Sequence, residues 1–105
     1  MKIHFYGTSA SEGFPAMFCE CNHCQESRKL GGKNIRTRTS VQIDEHILVD
    51  FSPDSYAHVV YCGLKLTDIQ HLFISHTHPD HLYAEDLGTI FYPMAETAET
   101  RRLAV

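Results

Sequence analysis

Apolar positions fall into short blocks separated by glycine, proline and small polar residues, and each block predicts an element. Residues 2–6 form a brief apolar and aromatic run stopped by Gly7, which predicts an opening strand. Residues 8–17, rich in Ser, Gly and Pro, predict a loop. Asn22 can cap a short helix running to about Leu30, where Gly31 and Gly32 stop it. Residues 39–43 and 47–51 read as two strands joined by a tight turn at Asp44, Glu45 and His46, a hairpin. Ser52 and Pro53 suit a helix start, because a hydroxyl accepts from free backbone N–H groups and proline fits the first turn. Gly63 ends that helix, and residues 64–70 lead to a further apolar strand at 71–75. Between about Asp80 and Met94, Leu82, Leu87, Ile90 and Phe91 fit one helical face only roughly, and Gly88 and Pro93 weaken it. The tail from Ala95 is polar and receives no assignment.

At 105 residues the chain fits one small domain and not two. Its 43% hydrophobic and 21% charged residues predict a packed core. The formal charge of −4 provides no global attraction for polyphosphate and disfavours avid nonspecific nucleic-acid binding, although Arg28, Lys29, Lys33, Arg36 and Arg38 form a local basic cluster. No apolar run approaches the ~20 residues that span a bilayer, so no membrane association is expected. The run after Met1 is too short for a secretory signal, which makes the cytoplasm the expected compartment. Three of the four cysteines crowd into positions 19–24 in a chain with eight histidines, a pattern of metal chemistry and reduced thiols rather than disulfides.

His76, His78, Asp80 and His81 place three imidazoles and a carboxylate within six positions, directly after a strand that would hold the backbone rigid. Histidine nitrogen and aspartate oxygen are usual ligands of zinc and suit manganese or iron. A solvated polar turn is the plainer alternative, and four potential ligands at this spacing weigh against it. Cys19, Cys21 and Cys24 offer three thiols that a tight loop can bend around one tetrahedral metal. His23 could be a fourth ligand only with awkward geometry, so a residue distant in sequence is expected. The rival chemistry is a dithiol redox pair at Cys21 and Cys24. Cys62 reads as a small core residue of an apolar helix. His4, His46, His58 and His71 read as surface or core residues rather than ligands.

The cluster at 76–81 resembles the His-x-His-x-Asp-His motif of the metallo-β-lactamase superfamily. That resemblance implies an α/β (α+β) fold, with residues 1–105 as the incomplete N-terminal portion of an αββα sandwich: a mixed sheet with flanking helices. It implies that His76 and His78 bind one metal and Asp80 and His81 a second, both Zn or Mn. Asp80 is then also the expected acceptor of a proton from the attacking water, and Asp50 a carboxylate behind the ligands that orients a histidine. Gly7-Thr8-Ser9, Gly13-Phe14-Pro15, the cysteine triad, Val49-Asp50 and Pro53-Asp54 together look like the PhnP-type branch, whose named members are cyclic phosphodiesterases. This implies one structural zinc at Cys19, Cys21 and Cys24. Relatives of that branch include a pyrroloquinoline-quinone biosynthesis protein and tRNA 3′-processing endonucleases.

The family fold needs roughly twice this length, and the further ligands would lie downstream. The expected reading is therefore a fragment of a metal-dependent phosphodiesterase acting on a small, cyclic phosphate ester. The 105-residue chain alone is expected to be inactive, and to expose an apolar face to a missing C-terminal half or a second copy of itself. The competing readings are a tRNA-processing endonuclease, disfavoured by the acidity of the chain, and a non-catalytic zinc-stabilised module.

Overall fold

The hydrophobic blocks fold into a four-stranded mixed sheet in the order β1-β2-β3-β4: β1 (Ile3–Gly7), β2 (Ser40–Ile43), β3 (Ile47–Val49) and β4 (His71–Phe73). The computed structural model describes residues 1–90, 94–96 and 103–105. β1 with β2 and β2 with β3 are antiparallel, whereas β3 and β4 run parallel. The predicted hairpin is present, and Asp44 at its turn takes a left-handed φ of 52°, tolerable for an aspartate. That turn is pinned to β1: Lys2 N donates to Asp44 Oδ1 at 2.8 Å, and Asp44 N donates to Lys2 O at 2.7 Å.

The two faces of the sheet differ. His4, Gln42, Leu48 and Leu72 share a row on one face, where Leu48 and Leu72 join Phe51, Leu64 and Ile69 in the buried core. The opposite face carries the rows Ile3, Ile43, Ile47, His71 and Phe5, Val41, Val49, Phe73. It is left open to solvent, with Phe5 64% and Phe73 58% exposed.

α1 (Asn22–Leu30) has the predicted span, but its N-cap is Cys21, whose sulfur accepts from Cys24 N, and not Asn22. α2 (Ser55–Cys62) starts later than the Ser52-Pro53 signal, although Ser52 Oγ does accept from a backbone N–H, that of Asp54, at 3.1 Å. Gly63 closes α2 in the left-handed conformation, as expected of a C-terminal glycine. Its buried residues are Ser55 and His58, while Tyr56, Val60 and Tyr61 face out. Cys62 is likewise exposed, which corrects its assignment to the core: a helix whose buried stripe is polar turns its apolar residues to solvent. β4 is shorter than the predicted strand because Ser75 N–H leaves the ladder for the Asp50 carboxylate. The rough helical pattern after Asp80 becomes a 3₁₀-helix at Ala84–Ile90; Phe91 and Pro93, also part of that pattern, lie outside the described residues. The unassigned tail contributes a pairing, since Leu72 N donates to Ala104 O at 2.8 Å and Ala104 N to Gln70 O at 3.0 Å. No helix of the described residues is long and apolar enough to cross a membrane.

Two tight points hold the first strand to the rest. A Cβ on Gly7 would stand 1.9 Å from Arg38 O, so the strand passes that carbonyl only without a side chain. His58, 0% exposed, meets Thr37 Oγ1 at 2.7 Å through Nε2 and stacks on Tyr6. Thr37 Oγ1 donates to Tyr6 O at 3.2 Å, so it accepts from His58 Nε2–H, which leaves a neutral ring whose buried Nδ1 has no partner among the described residues. Burial pushes the His58 imidazole below its ordinary 6.5, and Asp54 opposes this only in part. Unfolded His58 takes up a proton below about pH 6.5 while folded His58 resists, so stability is full above that pH and declines below it.

Gly7→Ala is expected to cost about 1–3 kcal/mol or to prevent folding, read from thermal circular dichroism. Urea denaturation at about pH 8 and about pH 5.5 should show the wild-type protein losing more stability on acidification than His58→Gln, whose side chain does not titrate. Equal losses would show that another group carries the acid sensitivity.

Candidate metal centre

Parallel pairing of β3 and β4 brings the segments that follow them to the same end of the sheet, the place where open parallel sheets present functional loops. Asp50 follows β3 directly and Ser75 to His81 follow β4. Phe51 N donates to His81 O and Tyr83 N to Phe51 O, both at 2.7 Å, so the two segments stay paired beyond the strands.

Asp50 organises this end. It is 3% exposed and has a left-handed φ of 66°. Its Oδ1 accepts Ser75 N–H at 2.7 Å; its Oδ2 accepts the Ser75 hydroxyl at 2.8 Å and lies 2.7 Å from His81 Nδ1. Burial acts to raise the Asp50 carboxyl, and the bonds from Ser75 and His81 outweigh it, leaving it below the ordinary carboxylate value.

His81 Nδ1–H is therefore directed at Asp50, and its Nε2 lies 3.1 Å from Asp80 Oδ2. In the neutral ring Nε2 carries a lone pair, and a lone pair facing a carboxylate oxygen at that distance needs a proton or a cation beside it. The His76 ring lies 3.9 Å from that of His81 and 4.7 Å from that of His78, centre to centre. The four loop residues named from the sequence are thus neighbours, with donor types suited to zinc, manganese or iron. Among the described residues, however, no three of their donor atoms lie within 4.8 Å of one another, so the loop does not gather them around one point. Ser75 was not singled out from the sequence. Its hydroxyl donates to Asp50 and lies 3.1 Å from His76 Nδ1, from which it can accept. Its place immediately before the first histidine was the available signal.

The cysteines form a separate group. The sulfurs of Cys19, Cys21 and Cys24 lie within 4.8 Å of one another, the only such trio of His, Cys, Asp or Glu donors among the described residues. Tetrahedral zinc holds thiolate sulfurs about 3.8 Å apart, so a small contraction would seat an ion. His23 is not part of the group. The Cys24 N–H, then the Cys19 and Cys24 thiols, lower the Cys21 thiol to about 7. The Ala16 N–H draws the Cys24 thiol down, but burial and the two neighbouring sulfurs leave it raised.

Comparison with known proteins rests on structure: no protein-family model matches the sequence, and no curated protein does. A solved diphosphatase from the PhnP family superposes with a TM-score of 0.65 and 29% identity, over 80% of this chain and 32% of that one. Zn²⁺-bound PqqB from Methylobacterium extorquens superposes with a TM-score of 0.66 and 19% identity, over 77% of this chain and 31% of that one. This is part of the metallo-β-lactamase fold. The chain spans about a third of the length of these two neighbours. Within that fold, the mixed sheet and its flanking helices are as the sequence predicts, with the histidine loop at the end of the parallel pair.

Replacing Asp50 tests the organisation of this end in the metal-free protein. Asp50→Asn, which tolerates the backbone but cannot accept all three bonds, is expected to cost about 1–3 kcal/mol in urea denaturation. Asp50→Ala should cost about 1 kcal/mol more, because alanine adopts left-handed backbone poorly.

Proposed function

We propose that residues 1–105 carry part of a metal-dependent hydrolase that cleaves a small phosphodiester, a cyclic phosphate being the expected substrate class. The observation that carries this reading is the linked set Asp50, His81 and Asp80, at 2.7 Å and 3.1 Å, with His76 and His78 beside it. His76 and His78 would hold one divalent cation, and Asp80 and His81 another. Bound there, the cations supply Lewis-acid activation of water and positive charge for the phosphoryl oxygens.

The chain's own residues prepare that chemistry. Asp50 fixes the His81 tautomer by taking Nδ1–H, which leaves the Nε2 lone pair for a cation. Ser75 does the same for His76 through Nδ1. Asp80 holds its carboxylate 3.1 Å from His81 Nε2, and would there take the proton that the attacking water loses. The trio Cys19, Cys21 and Cys24 would hold a zinc with a structural part, away from the histidine loop.

The solved diphosphatase favours a second substrate, a phosphoanhydride, for the same site. Both substrates present a phosphoryl group to two cations and differ in the leaving group.

Each cation needs at least three protein ligands, and the loop offers two to each, so further donors must come from outside the described loop. With excess Mn²⁺ or Zn²⁺, residues 1–105 alone are expected to hydrolyse bis(p-nitrophenyl) phosphate no faster than the metal-ion background. A polypeptide that also carries the remaining donors should turn it over, and His78→Ala or Asp80→Asn should abolish that turnover. Activity confined to thioesters or β-lactams would overturn the phosphodiester reading. Precursor tRNA cleaved as fast as small diesters would replace it with an RNA-processing one, and a single bound zinc with no hydrolysis by the longer polypeptide would replace it with a binding module.

A further inference from the structure

The cysteine trio is assembled by backbone as well as by side chains. Each sulfur accepts one backbone N–H: Cys19 Sγ from Cys21 N at 3.5 Å, Cys21 Sγ from Cys24 N at 3.5 Å, and Cys24 Sγ from Ala16 N at 3.4 Å. The first two donors lie on the short stretch that enters α1. The third does not, because Ala16 belongs to the preceding loop, eight residues before Cys24.

That loop has to be held against the helix for the trio to exist. Gln25 Nε2 ties the stretch between Cys19 and Cys21 by donating to Glu20 O at 2.8 Å, and Arg28 is the α1 side chain that reaches back to Ala16. Arg28 Nη2 donates to Ala16 O at 3.1 Å and to Cys19 O at 2.6 Å. Arg28 stands one helical turn after Cys24, on the same side of α1, and its guanidinium reaches back to the loop. Cys19 N also donates to Ala16 O at 3.1 Å, closing the turn whose two carbonyls Arg28 grips. The end of α1 is closed without it, since Gly31 N donates to Ser27 O. Fixing an exposed arginine costs roughly 2 kcal/mol of side-chain entropy, and its two bonds here go to the carbonyls of Cys19, a member of the trio, and of Ala16, the residue whose own N–H bonds Cys24 Sγ.

We propose that Arg28 is the positioning residue of the cysteine trio, and that it pre-assembles the three sulfurs for a thiophilic divalent cation such as Zn²⁺. The inference rests on reading the trio as metal ligands, as above, and not on the chemistry of the histidine loop. The guanidinium fixes the distance between Cys19 on the loop and Cys21 and Cys24 at the helix start. Lysine would keep the charge but not the planar pair of donors.

The test is metal binding by the 105-residue chain, independent of any hydrolysis. Co²⁺ gives a sulfur-to-metal charge-transfer band that reports thiolate ligation, and displacement by Zn²⁺ against a chromophoric chelator gives the affinity. Arg28→Ala is expected to weaken Zn²⁺ binding roughly 10–100-fold and to diminish the charge-transfer band, with Arg28→Lys between it and the wild type. Lys29→Ala, the exposed neighbour on α1, should bind as the wild type does. Melting of the chelator-treated protein should be the same for Arg28→Ala and wild type. An unchanged affinity and spectrum in Arg28→Ala would overturn the proposal, as would a metal-free melting point lowered as much as that of the loaded protein. Should Arg28→Ala fail to fold, wild-type affinity in Arg28→Lys overturns it equally. Absence of any charge-transfer band in the wild-type chain would instead overturn the reading of the trio as metal ligands, and this inference with it.

Discussion

A single buried carboxylate ties this protein together. Asp50 closes β3, takes the N–H that ends β4, takes the hydroxyl of the same serine, and holds His81 by its Nδ1. A buried negative charge is costly to desolvate, and these bonds supply the compensation that keeps it ionised. The left-handed backbone at Asp50 accompanies the same arrangement, in which the carboxylate bonds Ser75 across the strands while the Asp50 N–H reaches Phe73 O. Strand ending, loop path and ring orientation are therefore one event.

The strands, both helices and the hairpin were legible in the sequence because each rests on a local signal: an apolar run, a stopping glycine, a tight turn. The histidine loop was legible for the same reason, its residues lying within six positions. What stayed hidden depends on contacts between distant segments. Nothing local announces that Ser75 would desert its strand for Asp50, or that Arg28 would bond to a loop that begins some twenty residues earlier. Helix α2 misled in a different way. Its apolar letters suggested a buried helix, yet the core is reached through Ser55 and His58, because Thr37 and Tyr6 opposite it offer polar and aromatic partners. The weak pattern after Asp80 gave a 3₁₀-helix, the form available where no regular apolar stripe rewards a full α-helix.

The sheet itself is half dressed. One face meets the core at Leu48 and Leu72 while its β1 end, at His4, is exposed, and the other displays Ile3, Phe5 and Phe73 in rows with partly covered Val41, Ile43, Ile47 and Val49. Covering a phenylalanine of this kind is worth about 1.5–3 kcal/mol, so a partner layer on that face would add substantially to the stability of a small sheet. The histidine loop and this bare face belong to the same unit of structure.

The parallel pairing of β3 and β4 has a consequence for how such a chain can change over time. Their connection runs through α2 and a 3₁₀-turn on its way from Val49 to His71, yet the two strand ends stay adjacent because the ladder, and not the connection, sets their register. The exposed positions of the connection are therefore free to drift, while His58, Leu64 and Ile69 stay fixed by the packing they make. Tyr56, Val60 and Tyr61 could be exchanged, or the crossover lengthened, without displacing the carboxylate from the histidines. Chemistry and connection evolve on separate clocks.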